Sequence, residues 1–341
     1  MTAATHDLVI AGSGVAGLSA AVYAARADLE PLVLEGDEPG GQLTLTTDVE
    51  NYLGFPDGVG GMDLVQRGKE QAEQFGAQFQ HDRIEDAVLN SEPMELSLAG
   101  GDVIHARSLI VATGASARWV GAENEDELMG HGLSTCATCD GAFHRGDDVL
   151  VVGGGDSAME EALFLAKFAD SVTVVHRREA LRASEIMADR VREHDDVQFR
   201  WNTELEAVHG SQEDGVSGAT LVSHPGGYPR EKAESGVDVQ RATVDVGGVF
   251  YAVGHAPNTE FLDGTGVERD ENGYVFTRTE DAGRPTARTA VDGVFAAGDV
   301  ADPRYRQAIT SAGTGSMAGL DAEEYLETLA SSDDRAATAT A

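Results

Sequence analysis

The sequence predicts an α/β protein built from two units of one kind, because the same strand–turn–helix–strand pattern occurs twice in its 341 residues. In the first copy an apolar strand, Asp7 to Gly12, runs into a glycine-rich turn and an Ala-rich helix, Leu18 to Ala27. A second strand, Pro31 to Leu34, then ends at Glu35. A chain of this length also suggests about two domains of ~150 residues each.

The second copy repeats this order near the centre of the chain. Its first strand is Asp148 to Gly153, its helix runs from Met159 to Phe168, and its second strand, Ser171 to Val175, ends at His176. The sequence distance from the first glycine of the turn to the end of the second strand is the same in both copies, which argues against a chance match. Each copy is therefore predicted to be a βαβ unit.

The first turn has the pattern GxGxxG, formed by Gly12, Gly14 and Gly17. Between a strand and a helix, glycines permit a tight turn and let the pyrophosphate of a dinucleotide approach the helix N-terminus. Glu35 stands where a carboxylate accepts hydrogen bonds from both hydroxyls of a ribose. The pattern predicts a dinucleotide site, while an ordinary glycine turn beside a surface glutamate is the alternative.

The second turn has the pattern GxGxxA, formed by Gly153, Gly155 and Ala158. The position that corresponds to the acid of the first copy carries a histidine, and cations follow it: His176, Arg177, Arg178 and Arg182. A carboxylate repels a 2′-phosphate, whereas guanidinium groups bind it with charge-assisted hydrogen bonds. The second nucleotide is therefore predicted to be NADPH rather than NADH; the alternative is a solvated helix start with incidental charges.

A strand pattern that ends in a small-residue turn, LIVATGA from Leu109 to Ala115, recurs from Val249 and from Val294. These echoes predict that the first domain is left near residue 117 and re-entered near residue 248. The fold class is therefore α/β, with two Rossmann-like three-layer (ββα) dinucleotide-binding domains, the second inserted into a discontinuous first. The predicted segments are 1–117 and 248–328 for the discontinuous domain, 118–247 for the insert, with loops and hairpins at 211–240, and 329–341 for a disordered tail.

The two cysteines, Cys136 and Cys139, form the motif CATC inside the predicted insert. This spacing closes a redox disulfide or supplies two ligands to zinc. Zinc needs further ligands, for which His131 and His144 lie near enough in sequence, and an inert thiol pair is a third alternative. Asp140 follows directly and is a candidate acid that protonates a leaving thiolate; otherwise it is a turn-forming aspartate.

The composition is strongly acidic, with 24 Lys and Arg against 59 Asp and Glu and a formal charge of −35. Such a charge disfavours binding to nucleic acid and to anionic membranes. Lysines are few and the acids are spread along the chain, so the surface is predicted to suit high salt, where the screening length is ~3 Å at molar concentration. No apolar stretch approaches the ~20 residues that cross a bilayer. The chain also opens without an export signal, so the expected location is the cytoplasm.

A further set of motifs occurs in an order and spacing typical of one family: GSGVAG, GGQL with the following Asn51, CATCDG, GGGDSA, HRR with Arg182, GHAPNT and GDVADPRYRQAITSAGTG. On these motifs, across residues 6–328, the chain resembles the low-molecular-weight thioredoxin reductases, thioredoxin-disulfide reductases of the class II pyridine nucleotide-disulfide oxidoreductase family. Two places depart from the pattern. Leu53 stands where relatives often carry Pro, and the residues Ala142 to His144 replace more aromatic ones that help dock thioredoxin.

The resemblance implies two cofactors, FAD in the discontinuous domain and NADPH in the insert. FAD would be held by Ser13 and Ala16 with the three glycines of the first turn, and by Glu35, Gly41, Gln42, Asn51, Asp299, Gln307 and Ala308. NADPH would be held by Ser157 with the three residues of the second turn, and by His176, Arg177, Arg178 and Arg182.

The resemblance also implies a reaction sequence. Hydride passes from NADPH to the flavin, the flavin reduces the disulfide through Cys139, and Cys136 then attacks the disulfide of thioredoxin or a similar small CxxC protein. Because one domain carries both the cysteine pair and the nicotinamide, the domains are expected to rotate between two arrangements. A homodimer is expected from the family. The alternative functions are a related flavoprotein with another electron acceptor and a non-catalytic redox sensor.

Overall fold

The structure is a computed structural model that describes residues 4–46, 48–280 and 283–339. Its contacts divide the chain into two units. Unit 1 combines Met1–Ser116 with Ala256–Ala341, and unit 2 is the continuous stretch Ala117–His255.

The elements follow one another along the chain without a long unstructured region. The strands are β1 Thr5–Ala11, β2 Leu32–Leu34, β3 Gln78–Gln80, β4 Ile84–Val88, β5 Met94–Leu98, β6 Val103–Val111, β7 Ala115–Ala117, β8 Leu133–Ser134, β9 Asp148–Gly153, β10 Ser171–His176, β11 Val197–Trp201, β12 Thr203–Ser211, β13 Gly215–Ser223, β14 Gln240–Val244, β15 Gly248–Ala252, β16 His255–Pro257, β17 Thr279–Glu280, β18 Arg284–Pro285 and β19 Val294–Ala296. The α-helices are α1 Val15–Arg26, α2 Gly61–Gln74, α3 Glu125–Leu128, α4 Ala137–Asp140, α5 Asp156–Leu165, α6 Glu185–Arg192, α7 Pro229–Glu234 and α8 Ala308–Ala339. Short 3-10 helices lie at Gly41–Leu45, Gly141–His144, Glu260–Leu262 and Gly298–Val300.

Unit 1 is built on a sheet of order β3-β2-β1-β6-β5-β4, in which β19 also pairs with β6. The strands β3, β2, β1, β6 and β19 are parallel neighbours, and β4 and β5 are antiparallel. Side chains of β1 alternate between two hydrophobic clusters: Leu8 and Ile10 join one, Val9 and Ala11 the other. Both faces of β1 are buried, which explains why this strand is a continuous apolar run.

The last helix, α8, packs closely on α1 in unit 1. A Cβ on Gly315 would lie 2.2 Å from the carbonyl oxygen of Ala16, and the hydroxyl of Ser19 donates to the carbonyl oxygen of Ala312 (2.7 Å). The prediction of a disordered tail from residue 329 is wrong over the described residues, because α8 continues to Ala339. This segment contains alanines and no Gly or Pro, so nothing in it interrupts a helix already anchored on α1.

Unit 2 is built on a parallel sheet of order β11-β10-β9-β15-β8 and a separate antiparallel sheet of order β12-β13-β14. Side chains of β9 alternate between two clusters, as those of β1 do. We predicted that the chain returns to the first domain at residue 248. Instead β15 pairs with β9, so the division falls after His255.

The stretch 211–240 was predicted to contain loops and hairpins. It includes the β12–β13 hairpin, and it also contains the short helix α7, which begins with a proline at its first position. Among the helices in the described part of the chain, none is long and apolar enough to cross a membrane.

Candidate active site

The first turn joins β1 to α1 with almost no free space around its backbone. A Cβ on Gly12, whose φ is +107°, would lie 2.3 Å from the carbonyl oxygen of Ala112, and a Cβ on Gly17 would lie 1.9 Å from the carbonyl oxygen of Gly12. Glycine is therefore required at both positions. Gly14 caps α1 and carries no side chain over the helix end, while Ala16 is buried just inside it.

Ser13 ties the first turn to the segment that follows β2. Its hydroxyl accepts a hydrogen bond from the N–H of Gly40 (2.9 Å) and donates to the backbone oxygen of Glu35 (3.3 Å). Gly41 then begins a 3-10 helix that includes Gln42. The structure thus brings these five predicted or neighbouring residues to one end of the sheet.

Glu35 is mostly buried and is already paired. Its carboxylate lies 2.6 Å from Nζ of Lys69 on α2, and that Nζ also lies 4.8 Å from the centre of the Phe79 ring. Sequence reasoning missed Lys69. The available signal was its rarity, because the chain has three lysines, but nothing local linked it to Glu35.

The remaining predicted residues of unit 1 come together around the start of α8. The side-chain amide of Asn51 donates to Oε1 of Gln307 (3.3 Å), immediately before Ala308 begins the helix. Burial raises the pKa of Asp299, and a hydrogen bond from the hydroxyl of Ser311 (2.9 Å) acts in the opposite direction. This carboxyl group is thus held in place beside the start of α8.

The second turn joins β9 to α5 with the same backbone path. A Cβ on Gly153 would lie 2.5 Å from the carbonyl oxygen of Ala252, whereas one on Gly155 would meet nothing within 4 Å. Gly155 caps α5, Ser157 is exposed in its first turn, and Ala158 is fully buried. The N-terminus of α5 is therefore open to a ligand.

His176 was predicted to contact the nucleotide, and the structure places its ring inward. It is 6% exposed, its Nε2 lies 3.0 Å from the carbonyl oxygen of Ala180, and a Cβ on Gly154 would overlap the ring. Burial lowers the pKa of His176, which keeps the ring neutral. Its place in the fold indicates that it positions the loop after β10.

The arginines of this loop surround the end of β10. The N–H of Arg182 donates to the carbonyl oxygen of Gly154 (2.7 Å), which fixes the loop to the second turn. Arg177 is exposed, and its guanidinium lies over the ring of Tyr228. Nε of Arg178 is buried and has no hydrogen-bond partner among the described residues. Sequence reasoning missed Tyr228, which lies far from the motif.

The cysteine pair forms a disulfide at the start of α4. The Cα atoms of Cys136 and Cys139 are 5.3 Å apart, and both residues are half-buried. The N–H of Cys136 donates to the hydroxyl of Ser134 (3.0 Å). The zinc alternative required thiolates, and the sulfurs are bonded to each other instead; within the described residues no group of three or more His, Cys, Asp or Glu could hold a metal ion.

Asp140 is the last residue of α4 and directly follows the disulfide. Burial raises the pKa of Asp140, and the hydroxyl of Ser134 and the charge of His144 act in the opposite direction. His144 is itself buried, with Nδ1 3.3 Å from the carboxylate of Asp147 and its ring edge-on to Phe250. A carboxyl group with a raised pKa beside a disulfide is suited to donate a proton.

A family model described as pyridine nucleotide-disulphide oxidoreductase matches residues 6–315. The chain belongs to this family. It is 46% identical over 337 residues to a thioredoxin reductase of Streptomyces clavuligerus, with 98% of each chain covered. It is also 46% identical to a bifunctional thioredoxin reductase/thioredoxin of Mycobacterium leprae, of which the match covers 66%. The solved thioredoxin reductase of Streptococcus pyogenes is 36% identical, with a TM-score of 0.85 over 96% of this chain and all of that one.

The family confirms the predicted fold class and the predicted cofactors, FAD and NADPH. The residues present fit both groups. The helices α1 and α5 begin with glycine caps and no side-chain cap, so their first N–H groups are available to a pyrophosphate. The buried Nε of Arg178 lacks a partner that an anionic ligand would supply.

Proposed function

We propose that this protein is an NADPH-dependent thioredoxin-disulfide reductase that works through Cys136 and Cys139. The observation that carries the proposal is the Cys136–Cys139 disulfide, which lies in the same unit as the arginine-flanked second turn. The related protein named bifunctional thioredoxin reductase/thioredoxin supports the choice of a thioredoxin as the partner. Partners of this class are small CxxC proteins.

The proposal assigns one cofactor to each unit. In unit 1, FAD is held by the first turn and the residues gathered beside it: Gly12, Ser13, Gly14, Ala16, Gly17, Glu35, Gly41, Gln42, Asn51, Asp299, Gln307 and Ala308. In unit 2, NADPH is held by the second turn and the loop after β10: Gly153, Gly155, Ser157, Ala158, Arg177, Arg178 and Arg182, with His176 in support.

The bound FAD supplies the electron pair that NADPH provides. When the Cys136–Cys139 bond takes up two electrons, both sulfurs become available as thiolates. The thiolate of Cys136 attacks one sulfur of the partner's disulfide, which forms a mixed disulfide and expels the partner's other thiolate. The thiolate of Cys139 then attacks the sulfur of Cys136, restores the original disulfide and expels the partner's second thiolate. Two protons complete the partner's dithiol, and Asp140 is placed to donate one of them.

The decisive experiment measures NADPH-dependent reduction of a disulfide reporter through candidate thioredoxins, in molar salt. NADH and Cys136→Ser are parallel controls. We expect rapid turnover that requires thioredoxin, prefers NADPH and disappears in Cys136→Ser. A flavin that NADPH reduces without passing electrons to any thioredoxin would favour another electron acceptor or a redox sensor instead.

Asp140→Asn tests the proton donor separately. We expect about 10²-fold slower turnover with thioredoxin, because the amide cannot donate an acidic proton. Since burial raises the pKa of Asp140 above its ordinary value, the ionised carboxylate costs stability at neutral pH. The variant should therefore be more stable than the natural protein at neutral pH, with the gain shrinking as the pH falls toward that ordinary value. Unchanged turnover would leave Asp140 as a turn residue.

The proposal also covers habitat and assembly. The charge of −35 and the scarcity of lysine support a surface adapted to high salt, and we propose a cytoplasmic location on the same grounds as the predicted redox chemistry. The homodimer and the rotation between the two units stay predictions. Sedimentation in molar salt measures the oligomeric state.

A further inference from the structure

One segment of unit 2, residues 224–232, packs against the first arginine after β10. The N–H of Tyr228 donates to the carbonyl oxygen of Arg177 (2.9 Å), and a Cβ on Gly227 would lie 2.9 Å from the same oxygen. The guanidinium of Arg177 lies over the ring of Tyr228, 5.2 Å from its centre. Tyr228 thus contacts both the backbone and the side chain of Arg177.

The backbone of Tyr228 is in a conformation that a bulky residue rarely adopts, with φ 49° and ψ 53°. Such a conformation persists where the surroundings over-determine it, and it is concentrated at functional sites. The surroundings do so here. Pro229 is buried directly after it, and Nζ of Lys232 donates to the carbonyl oxygens of Gly226 (3.1 Å) and Gly227 (2.7 Å).

The stacking limits where the guanidinium of Arg177 can go. A ring face attracts a guanidinium, and Arg177 is otherwise an exposed, long and flexible side chain. A guanidinium that is already held loses less conformational entropy when it binds a phosphate. The ring therefore favours binding of an anion by Arg177 without touching that anion.

We propose that Tyr228 is a positioning residue that raises the preference for NADPH over NADH by holding Arg177 ready for the 2′-phosphate. This rests on the proposed role of Arg177 in binding that phosphate. Because NADH has no 2′-phosphate, the effect of Tyr228 is confined to NADPH.

The test uses the full-length, FAD-loaded protein and three changes. Tyr228→Asn removes the ring and suits the left-handed backbone, and Tyr228→Phe keeps the ring. Phe168→Leu is the matched control, since Arg145 lies 5.2 Å over the Phe168 ring in the same unit. The measurements are KM for NADPH and NADH, the Kd of 2′,5′-ADP and of 5′-AMP, and thermal unfolding.

For Tyr228→Asn we expect KM for NADPH and Kd for 2′,5′-ADP to rise about fivefold, with the values for NADH and 5′-AMP unchanged. Tyr228→Phe should restore the natural values, and Phe168→Leu should not alter the ratio of NADPH to NADH. Equal losses with both nucleotides would overturn the proposal, because they indicate a purely structural role. If Tyr228→Asn does not fold, Tyr228→Leu answers the same question.

Arg177→Leu separates this inference from the function on which it rests. If Arg177→Leu leaves the NADPH-to-NADH ratio unchanged, the assignment of Arg177 to the 2′-phosphate is wrong. If Arg177→Leu lowers the ratio and Tyr228→Asn does not, the role of Tyr228 alone is wrong. In the double variant we expect no loss beyond that of Arg177→Leu.

Discussion

At the end of β2, in unit 1, stands an acid that already holds a cation, whereas at the end of β10, in unit 2, stands a buried histidine followed by arginines. Glu35 is paired with Lys69 at 2.6 Å. His176 is bonded to the backbone of its own loop and leaves the arginines to face outward. The two βαβ units share one backbone path, so the difference between their nucleotides is carried by the residues just after the second strand.

The two turns also differ at their third small residue. Gly17 lies against the backbone of Gly12, with no room for a Cβ, whereas its counterpart Ala158 accommodates a methyl group in a buried position. The first turn is therefore tighter than the second. The comparison leads to three predictions, which differ in the size of the expected effect.

The largest effect is expected from Gly17→Ala. The added Cβ would lie 1.9 Å from a backbone oxygen, which cannot move aside as a side chain can. We expect the free energy of unfolding to fall by about 3 kcal/mol, with loss of bound flavin. The reverse change, Ala158→Gly, should cost about 1 kcal/mol. Denaturant unfolding measures both values, and equal losses would show that the two turns are equally tight.

A smaller effect is expected from Lys69→Met. Without the ammonium group, the carboxylate of Glu35 is left uncompensated close to the position proposed for the FAD pyrophosphate. We expect FAD to bind about tenfold more weakly to the flavin-free protein, with NADPH binding unchanged. Lys69→Arg keeps the charge and is the control. Flavin titration by fluorescence decides the matter, and unaltered or tighter FAD binding in Lys69→Met contradicts the pairing as a support of the site.

The smallest effect concerns the pH dependence given by His176. Burial lowers the pKa of His176, so the folded protein keeps this ring neutral where the unfolded chain protonates it. The stability that depends on the neutral ring is present above the ordinary pKa of 6.5 and is lost as the pH falls below it. His176→Asn keeps a donor for the oxygen of Ala180 and does not titrate. The stability advantage of the natural protein over this variant should shrink between about pH 7 and pH 5; a constant difference would mean that the ring does not titrate in this way.

Local patterns predicted the parts of this fold that local sequence determines. The strands around Gly12 and Gly153 lie where predicted, because an apolar run followed by a glycine turn has few other conformations. The contribution of β15 to unit 2 was missed, since its apolar pattern suits a central strand of either sheet and only pairing with β9 decides the matter. Lys69 and Tyr228 were missed for a similar reason: each meets its partner through tertiary packing rather than at a regular sequence spacing.

The discontinuity of unit 1 sets an order for the maturation of the protein. Unit 2 is one continuous stretch, whereas unit 1 receives β19 and the helix that covers α1 only from the last part of the chain. Domains generally fold as units while the chain is being made. The insert therefore has all of its core strands available while the first turn still lacks its covering helix. Flavin capture then becomes a late step, one that distinguishes finished chains from truncated ones.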